Sequence, residues 1–361
     1  MLKRTIIFWF VVVAVSAVVA TSTGCRNGDT REGSCTLRTE AERGDANAQF
    51  LLGMAYYPTD FEAAIQWFHK AAEQGHAQSQ TLLGYAYFEG TGVPEDKAES
   101  VKWFRKAAEQ GNADAQYMLG MYYYNDENVS EYKVEAVKWL RKAAEQGNTL
   151  AQTQLSYCYS EGIGVPEDKV ESAKWLQLAV DQRDANALWR LGGQYMLGFG
   201  VPKDEVKAVD LFRQAAEQGN ADGEFLLGFS YLFGLGVAKD EVTAVQWLRK
   251  AAEQGNDAAQ YRLGGCYYLG LGTPKDEEGV RWLRKSAEQG HAEAQYLLGR
   301  QYFDGEGVRE NKAVGTQRLR IKSSENHREM KSDIRKRPVE KGRKFSFPNT
   351  ITGTVLSFKP S

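Results

Sequence analysis

The pattern of apolar and polar positions repeats along most of the chain, for the most part every 36 residues. In each repeat a leucine is followed by glycine, or by Ser156 in one case, and then by tyrosine three residues later. Leucine, glycine and tyrosine at i, i+1 and i+4 share one face of a helix, so the pattern predicts a first helix per repeat. The leucines of this column are Leu52, Leu83, Leu119, Leu155, Leu191, Leu227, Leu263 and Leu298.

A second apolar stripe follows in each of the seven full repeats and ends at the sequence Glu-Gln-Gly, or at Asp181-Gln182-Arg183 in one case. It carries alanines on one face and a tryptophan eight residues before the final glycine, with Leu211 as the exception. The pattern predicts a second helix that ends at that glycine. The tryptophans are Trp67, Trp103, Trp139, Trp175, Trp247 and Trp282.

The two helices are joined by a Gly-x-Gly-Val loop, as at Gly90 and Gly92. Glycine adopts the left-handed conformation that ends helices without steric cost. Asp96 then precedes the second helix with Glu99 three residues on, which predicts a capping box; Asp168 and Glu171 repeat the arrangement. Repeat three has Asp126 and Asn128 in place of the loop glycines.

A single helix pair of this size cannot bury its own apolar stripe, so neighbouring pairs must bury it for each other. A glycine inside a helix costs about 1 kcal/mol relative to alanine, which predicts that helices approach closely at that column. Replacing a buried tryptophan, for example Trp139, by alanine is expected to cost about 3–5 kcal/mol. We therefore predict an all-α fold, an α-solenoid of seven full repeats and part of an eighth over residues 44–314.

The order Ala-x-x-x-Leu-Gly-x-x-Tyr, Gly-x-Gly-Val, Asp, Trp, Ala-Ala resembles the Sel-one-like repeat (SLR) family, relatives of the tetratricopeptide repeats. The resemblance implies a right-handed superhelix and an adaptor role in envelope, secretion or signalling assemblies. A cysteine-rich branch of the family binds or hydrolyses penicillins, with disulfides across eight-residue steps. The matching positions here, such as Ala72 and Gln80, hold no cysteine. That activity is therefore not carried over.

The N-terminal residues have the composition of an export signal. Lys3 and Arg4 precede an apolar stretch of 15 residues that ends at Ala20. This stretch is shorter than the roughly 20 residues of a membrane-spanning helix, although an uncleaved anchor is the alternative. Gly24-Cys25 resembles the lipoprotein cleavage site, which makes Cys25 a candidate for lipidation. We predict a signal peptide at residues 1–24 and a periplasmic or outer-membrane location, either lipid-anchored or soluble.

Charged residues are distributed unevenly along the chain, and this helps to separate the repeats from the segments on either side. The chain has a net charge of −2, yet residues 316–361 carry 12 basic against 4 acidic side chains. Residues 25–43 are predicted to be a linker, and residues 315–361 a disordered basic tail; binding to an anionic surface is the alternative for the tail. Nucleic acid is not expected as a partner.

Residues that carry enzyme chemistry are sparse. Cys158 and Cys266 lie three repeats apart, about 30 Å in a stack of helices, and are too far apart to form a disulfide. Ser130-x-x-Lys133 matches the motif of penicillin-interacting enzymes, but no Lys-Thr-Gly partner follows it. We expect no catalytic residue, metal or cofactor. The alternative function is hydrolysis of β-lactams or peptidoglycan peptides, by analogy with the cysteine-rich relatives.

Binding residues are predicted on the first helices. In related two-helix solenoids, positions −3, +1 and +4 from the conserved glycine line a concave groove, and position −6 here is mostly acidic or amide. Such a groove suits an extended peptide or a helix with basic residues. The alternative is that these rings pack against the neighbouring first helix. The candidate residues are Tyr117, Met121, Tyr124, Trp189, Met196, Phe225, Phe229, Tyr261 and Tyr268.

Overall fold

The computed structural model describes residues 37–125 and 130–304, and the side chains of residues 130, 303 and 304 are excluded. The predicted signal peptide, Cys25, the Asp126–Asn128 loop and the basic tail of residues 315–361 lie outside the described residues. The chain divides into two compact units, one up to Glu167 (unit 1) and one from Asp168 onward (unit 2).

Helices account for nearly all of the regular structure in the described residues. Unit 1 contains α1 (Ala46–Tyr56), α2 (Phe61–Glu73), α3 (Ala77–Glu89), α4 (Lys97–Glu109), α5 (Ala113–Asn125), α6 (Ser130–Glu145) and α7 (Thr149–Glu161). Unit 2 contains α8 (Lys169–Asp181), α9 (Ala185–Leu197), α10 (Glu205–Glu217), α11 (Ala221–Phe233), α12 (Glu241–Glu253), α13 (Asp257–Leu269), α14 (Glu278–Glu288) and α15 (Ala292–Asp304).

Within each unit, every helix packs mainly against the helices that precede and follow it in sequence. First helices of successive repeats also touch, as α3 touches α5 and α9 touches α11. This neighbour-to-neighbour packing is characteristic of a solenoid. The all-α class and the repeat architecture predicted from the sequence are therefore confirmed.

The conserved glycine lies where the two helices of a repeat are closest. A Cβ atom built on Gly84 would be 2.6 Å from the ring of Phe104, and one on Gly192 would be 2.6 Å from the ring of Phe212. Leu83 and Leu191, beside these glycines, are at most 1% exposed. The close approach predicted from the glycine column is confirmed.

The tryptophan column is less uniformly buried than the sequence suggests. Trp103, Trp175 and Trp282 are buried, whereas Trp139 is half-buried. The ammonium group of Lys142 lies 4.1 Å from the ring centroid of Trp139. Part of this ring therefore packs against a lysine stem instead of the core, and replacing it should cost near the lower end of the predicted range.

The capping boxes form on one side only. Asp96 accepts a hydrogen bond from the backbone N–H of Glu99 at 3.0 Å, as predicted. The Glu99 carboxylate, however, accepts from Lys102 at 2.8 Å, and the backbone N–H of Asp96 donates to the carbonyl of Tyr87. Because the Asp96 N–H already donates to this carbonyl, it is not available to donate to the Glu99 carboxylate, and the second bond of the capping box does not form.

The second glycine of each loop is required by the preceding repeat. Gly200 has φ +72°, and a Cβ there would overlap the carbonyl oxygen of Lys169 at the start of α8. In repeat three, which lacks the loop glycines, α6 is three residues longer than α4. Lys133 of α6 donates to the carbonyl of Tyr124 at the end of α5. In that repeat a lysine ammonium group therefore provides a hydrogen bond to a carbonyl at the C-terminal end of the first helix.

Residues 37–42, which the sequence assigned to a linker, are helical. Ala41 is buried with Ala48 and Leu52, and Leu37 packs against this cluster. The side chain of Gln49 donates to the carbonyl of Ala41 at 3.0 Å. The segment occupies the place of a preceding second helix, so the packed array begins before residue 44.

A column of glutamines connects most repeats to the one before. Gln80 donates to the carbonyl of Ala72 at 3.0 Å and accepts from Gln110 at 2.6 Å. We call this column the glutamine ladder. The same bond to a preceding alanine carbonyl is made by Gln49, Gln116, Gln152, Gln260 and Gln295. Leu188 and Glu224 occupy the remaining two positions.

Candidate functional site

The predicted binding residues lie on the surface formed by the first helices, which we call the A-face. It comprises positions −6, −3, +1 and +4 from the conserved glycine of each first helix. The structure divides the nine candidates into two groups by burial. Trp189, Met196, Phe225, Phe229 and Tyr261 are at most 3% exposed, whereas Tyr117, Met121, Tyr124 and Tyr268 are half-buried.

The A-face of unit 2 is packed with aromatic rings. The rings of Phe229 and Phe233 have centroids 4.5 Å apart, and Phe225 lies 6.0 Å from Phe229. The guanidinium of Arg262 lies 5.2 Å from the Phe229 ring and 5.1 Å from Tyr261. Phe225, Phe229 and Tyr261 therefore pack within this face.

A second arginine of unit 2 lies over an aromatic ring, and its charge acts on two carboxylates. Arg190 is 4.5 Å from the ring centroid of Trp189. Burial raises the pKa of Asp222, and the charge of Arg190 opposes that rise; the same opposition acts on Asp184. Asp222 also accepts a hydrogen bond from Asn256 at 2.9 Å. Unit 2 thus supplies its own cation to the acidic edge of its A-face.

The A-face of unit 1 has a different composition. Burial raises the pKa of Tyr85, and the nearby Asp114 and Tyr117 raise it further. Asp114 accepts from Asn148 at 3.0 Å, and burial raises the pKa of its carboxyl group. The first helices of unit 1 contain no lysine or arginine. Tyrosine rings and one desolvated carboxylate therefore lie together there without an arginine from these helices.

The next repeat continues this surface. Burial raises the pKa of Tyr124 to about 12, and Tyr157 contributes to the rise while a hydrogen bond with Gln154 opposes it. Lys133 lies 5.0 Å from the Tyr124 ring centroid, but its ammonium donates to the Tyr124 carbonyl. Tyr157, which was not among the candidates, occupies position +1 and is half-buried.

Sequence reasoning missed the contacts of the second helices. An arginine two residues after the tryptophan donates to the tyrosine of the next repeat, as Arg105 donates to Tyr123 at 2.6 Å. A lysine three residues after the tryptophan covers that ring, as Lys106 does for Trp103 at 4.1 Å. The recurring Trp-x-Arg-Lys was visible in the sequence. These contacts link neighbouring repeats and cover core rings.

Groups with catalytic or redox potential are engaged or buried in the described residues. Lys133 of the Ser-x-x-Lys match serves the end of α5, and the Ser130 side chain is outside the described set. Cys158 and Cys266 are free thiols, as predicted, and burial raises the pKa of each to about 12. The described residues contain no group of three histidine, cysteine, aspartate or glutamate side chains that could hold a metal ion. The helices described are too short or too polar to cross a membrane.

The helix packing, the glycine loops and the glutamine ladder together define the protein as a solenoid of two-helix repeats. The family model for the Sel1 repeat matches residues 46–76, 77–112, 113–148, 149–184, 185–220, 221–256, 257–291 and 292–315. The chain belongs to the Sel1 repeat family. Proteins built from these repeats generally mediate protein–protein interactions.

Two solved structures agree with this assignment. One is the crystal structure of c5321, described as a protective antigen of uropathogenic Escherichia coli strains with an SLR fold; it is 38% identical, with a TM-score of 0.68. The match covers 81% of this chain and 64% of that chain, so the chain spans less than two thirds of its length. A Sel1 repeat protein from Oxalobacter formigenes is 35% identical, with a TM-score of 0.62, and the match covers 66% of this chain and 96% of that chain. No curated protein sequence matched the chain.

Proposed function

We propose that the protein is a non-catalytic interaction scaffold of the cell envelope that binds a protein segment on the A-face of unit 1. The observation that carries this proposal is the set of half-buried Tyr117, Met121, Tyr124 and Tyr157 on successive first helices. Rings of this kind offer apolar area and a hydroxyl at low cost in conformational entropy, and they are enriched at protein interfaces.

Unit 1 is a better candidate than unit 2 because its rings retain exposed surface. Phe225 and Phe229 are at most 2% exposed, so they have almost no area left to bury against a partner. Tyr268 of unit 2 is half-buried and remains a secondary candidate. The solenoid fold supports this choice, since neighbour-to-neighbour packing leaves an extended surface free.

The test is site-specific photocrosslinking in the intact envelope. A photoreactive residue replaces Tyr117 or Tyr157 in one set of variants, and Lys102, which is exposed on a second helix, in a control. We expect the same partner, identified by mass spectrometry, at both A-face positions and not at the control. Equal capture from Lys102, or no product from either A-face position, would contradict the proposed site.

Export and lipid attachment complete the proposal. The basic residues, apolar stretch and Gly24-Cys25 pair of the N-terminus support a lipid-anchored form. Metabolic labelling with palmitate, followed by recovery of the protein, tests this. We expect label in the natural protein and none in a Cys25→Ala variant; label that persists in the variant would place the lipid elsewhere, and absence of label in both would favour a soluble form.

A further inference from the structure

On the A-face of unit 2, an arginine, an aromatic ring and a carboxylate all come from the chain itself. Arg190 lies on the ring of Trp189, with its charge acting on Asp222 from the neighbouring first helix. Stacking of a guanidinium on an aromatic ring beside a carboxylate combines a cation–π contact with an ion pair.

Unit 1 has the carboxylate and the rings of this arrangement but not the cation. Asp114 occupies the same column as Asp222, three periods of 36 residues earlier, and it accepts from Asn148 as Asp222 accepts from Asn256. The positions that correspond to Trp189 and Arg190 are Thr81 and Leu82. The described first helices of unit 1 therefore place no lysine or arginine at Asp114, whereas the charge of Arg190 acts on its counterpart.

Tyr117 lies three residues after Asp114 on the same face of α5. Tyr85 lies on the preceding first helix, α3, which touches α5, and the Asp114 carboxylate contributes to the raised pKa of Tyr85. The other carboxylates of the unit 1 first helices are Glu89 and Glu161. Lys133, on the second helix of repeat three, is directed to a backbone carbonyl. The face is thus aromatic and anionic, and a partner with positive charge complements it.

We infer that the A-face of unit 1 binds an extended protein segment through an arginine side chain that stacks on Tyr117 or Tyr85 and pairs with Asp114. This inference rests on the proposed function and specifies the chemistry of the partner. The partner's guanidinium takes the place that Arg190 has beside Asp222. Desolvation makes the contact stronger than a surface ion pair, because the carboxylate is already partly removed from water.

Binding of short peptides to the full chain tests the inference. The probes are fluorescein-labelled (Arg-Pro)₄ and (Gln-Pro)₄, in which proline keeps the peptide extended. Fluorescence anisotropy at low salt should show that the arginine probe binds at least about tenfold tighter than the glutamine probe, the range given by one desolvated cation–π contact and ion pair. Added salt should weaken the arginine probe more than the glutamine probe.

Asp114→Asn and Asp222→Asn form a matched pair of variants. Asp114→Asn keeps the hydrogen bond from Asn148 and should weaken the arginine probe about tenfold while leaving the glutamine probe unchanged. Asp222→Asn should change neither, because the charge of Arg190 already acts on that carboxylate. Circular dichroism melting of each variant verifies folding.

Several outcomes would overturn the inference: equal binding of the two probes, equal effects of the two variants, or no binding of the arginine probe. If photocrosslinks at Tyr117 persist in that case, the proposed function survives and the partner is of another chemistry. If the crosslinks are also absent, both proposals fail. Leu82→Arg gives a further check, because an internal arginine at the position of Arg190 should compete with the arginine probe and weaken its binding.

Discussion

Glu224 occupies a position at which six other first helices carry glutamine, and replacing it with glutamine should stabilise the protein. Its side chain is 4% exposed and accepts a hydrogen bond from Gln254 at 2.7 Å. Every ladder glutamine also donates to the alanine carbonyl of the preceding second helix. An ionised carboxylate cannot donate, so among the described contacts the carbonyl of Ala216 accepts only from the backbone N–H groups of Gln218 and Gly219 and from no side chain.

The magnitude follows from three contributions. Glu224→Gln adds a buried hydrogen bond to Ala216, worth about 1 kcal/mol net, and removes the cost of burying a charge. It also weakens the bond from Gln254, since a bond to an ion is stronger than a neutral one by about 1 kcal/mol. Because desolvation outweighs the favourable effects of Gln254 and Lys250 on this carboxylate, we expect a net gain of about 1–2 kcal/mol at neutral pH.

The gain should depend on pH. Burial raises the pKa of Glu224 above its usual 4.5. Between 4.5 and the raised pKa the folded protein binds the proton better than the unfolded chain, so this group destabilises the fold progressively as pH rises through that window. Below the window the protonated carboxyl group donates to Ala216 itself, and the advantage of glutamine should nearly vanish.

Thermal melting of the two proteins at about pH 7 and about pH 4.5 measures both effects. A gain of about 1–2 kcal/mol corresponds to a shift of about 2–8 °C. The control is Gln260→Glu in the next repeat, where a full ladder contact exists and a loss of similar size is expected. A destabilised Glu224→Gln protein, or a gain of equal size at both pH values, would refute this account of the ladder.

Three further outcomes are expected. Gly192→Ala should lower stability by about 1–2 kcal/mol in urea unfolding, because overlap with the buried Phe212 ring outweighs the better helix propensity of alanine; a neutral result would mean that the helices separate easily. Glu278 has a lowered pKa, chiefly through the hydrogen bond from Tyr267. Its contribution to the free energy of unfolding is therefore present above the usual pKa of 4.5 and is lost as the pH falls through the lowered pKa. Acid unfolding should show that Glu278→Gln loses less stability at low pH than the natural protein. The Cys158 thiol, with a pKa of about 12, should react with a thiol reagent only as the protein unfolds; fast labelling of the native protein would contradict its burial.

Local exceptions show where sequence reasoning fails. The capping box at Asp96 lacks its second hydrogen bond because the Asp96 N–H donates to the carbonyl of Tyr87. That contact depends on the path of the loop. The helical character of residues 37–42 was missed because too few of their positions match the repeat. Their burial against Ala48 and Leu52 determines their conformation. In both cases a contact outside the local segment overrides the local signal.

The binding face illustrates the same limit. Tyr117 and Phe225 occupy the same column, yet Tyr117 keeps exposed surface and Phe225 has none. Burial of such a side chain depends on what surrounds it, which in unit 2 includes Phe229 of the same helix and Arg262 of the next first helix. The column gives the direction of a side chain, and the adjacent repeats decide how much of it remains accessible.

The sequence by itself determined the period, the two helices per repeat, the glycine contact and the array, because each follows from a spacing that recurs in every repeat. Only the tertiary structure decided which rings remain accessible, which cations are already paired and where the glutamine ladder is interrupted. Those features depend on contacts between residues about 30 or more positions apart, as between Gln254 and Glu224, and the identities at both ends vary from repeat to repeat.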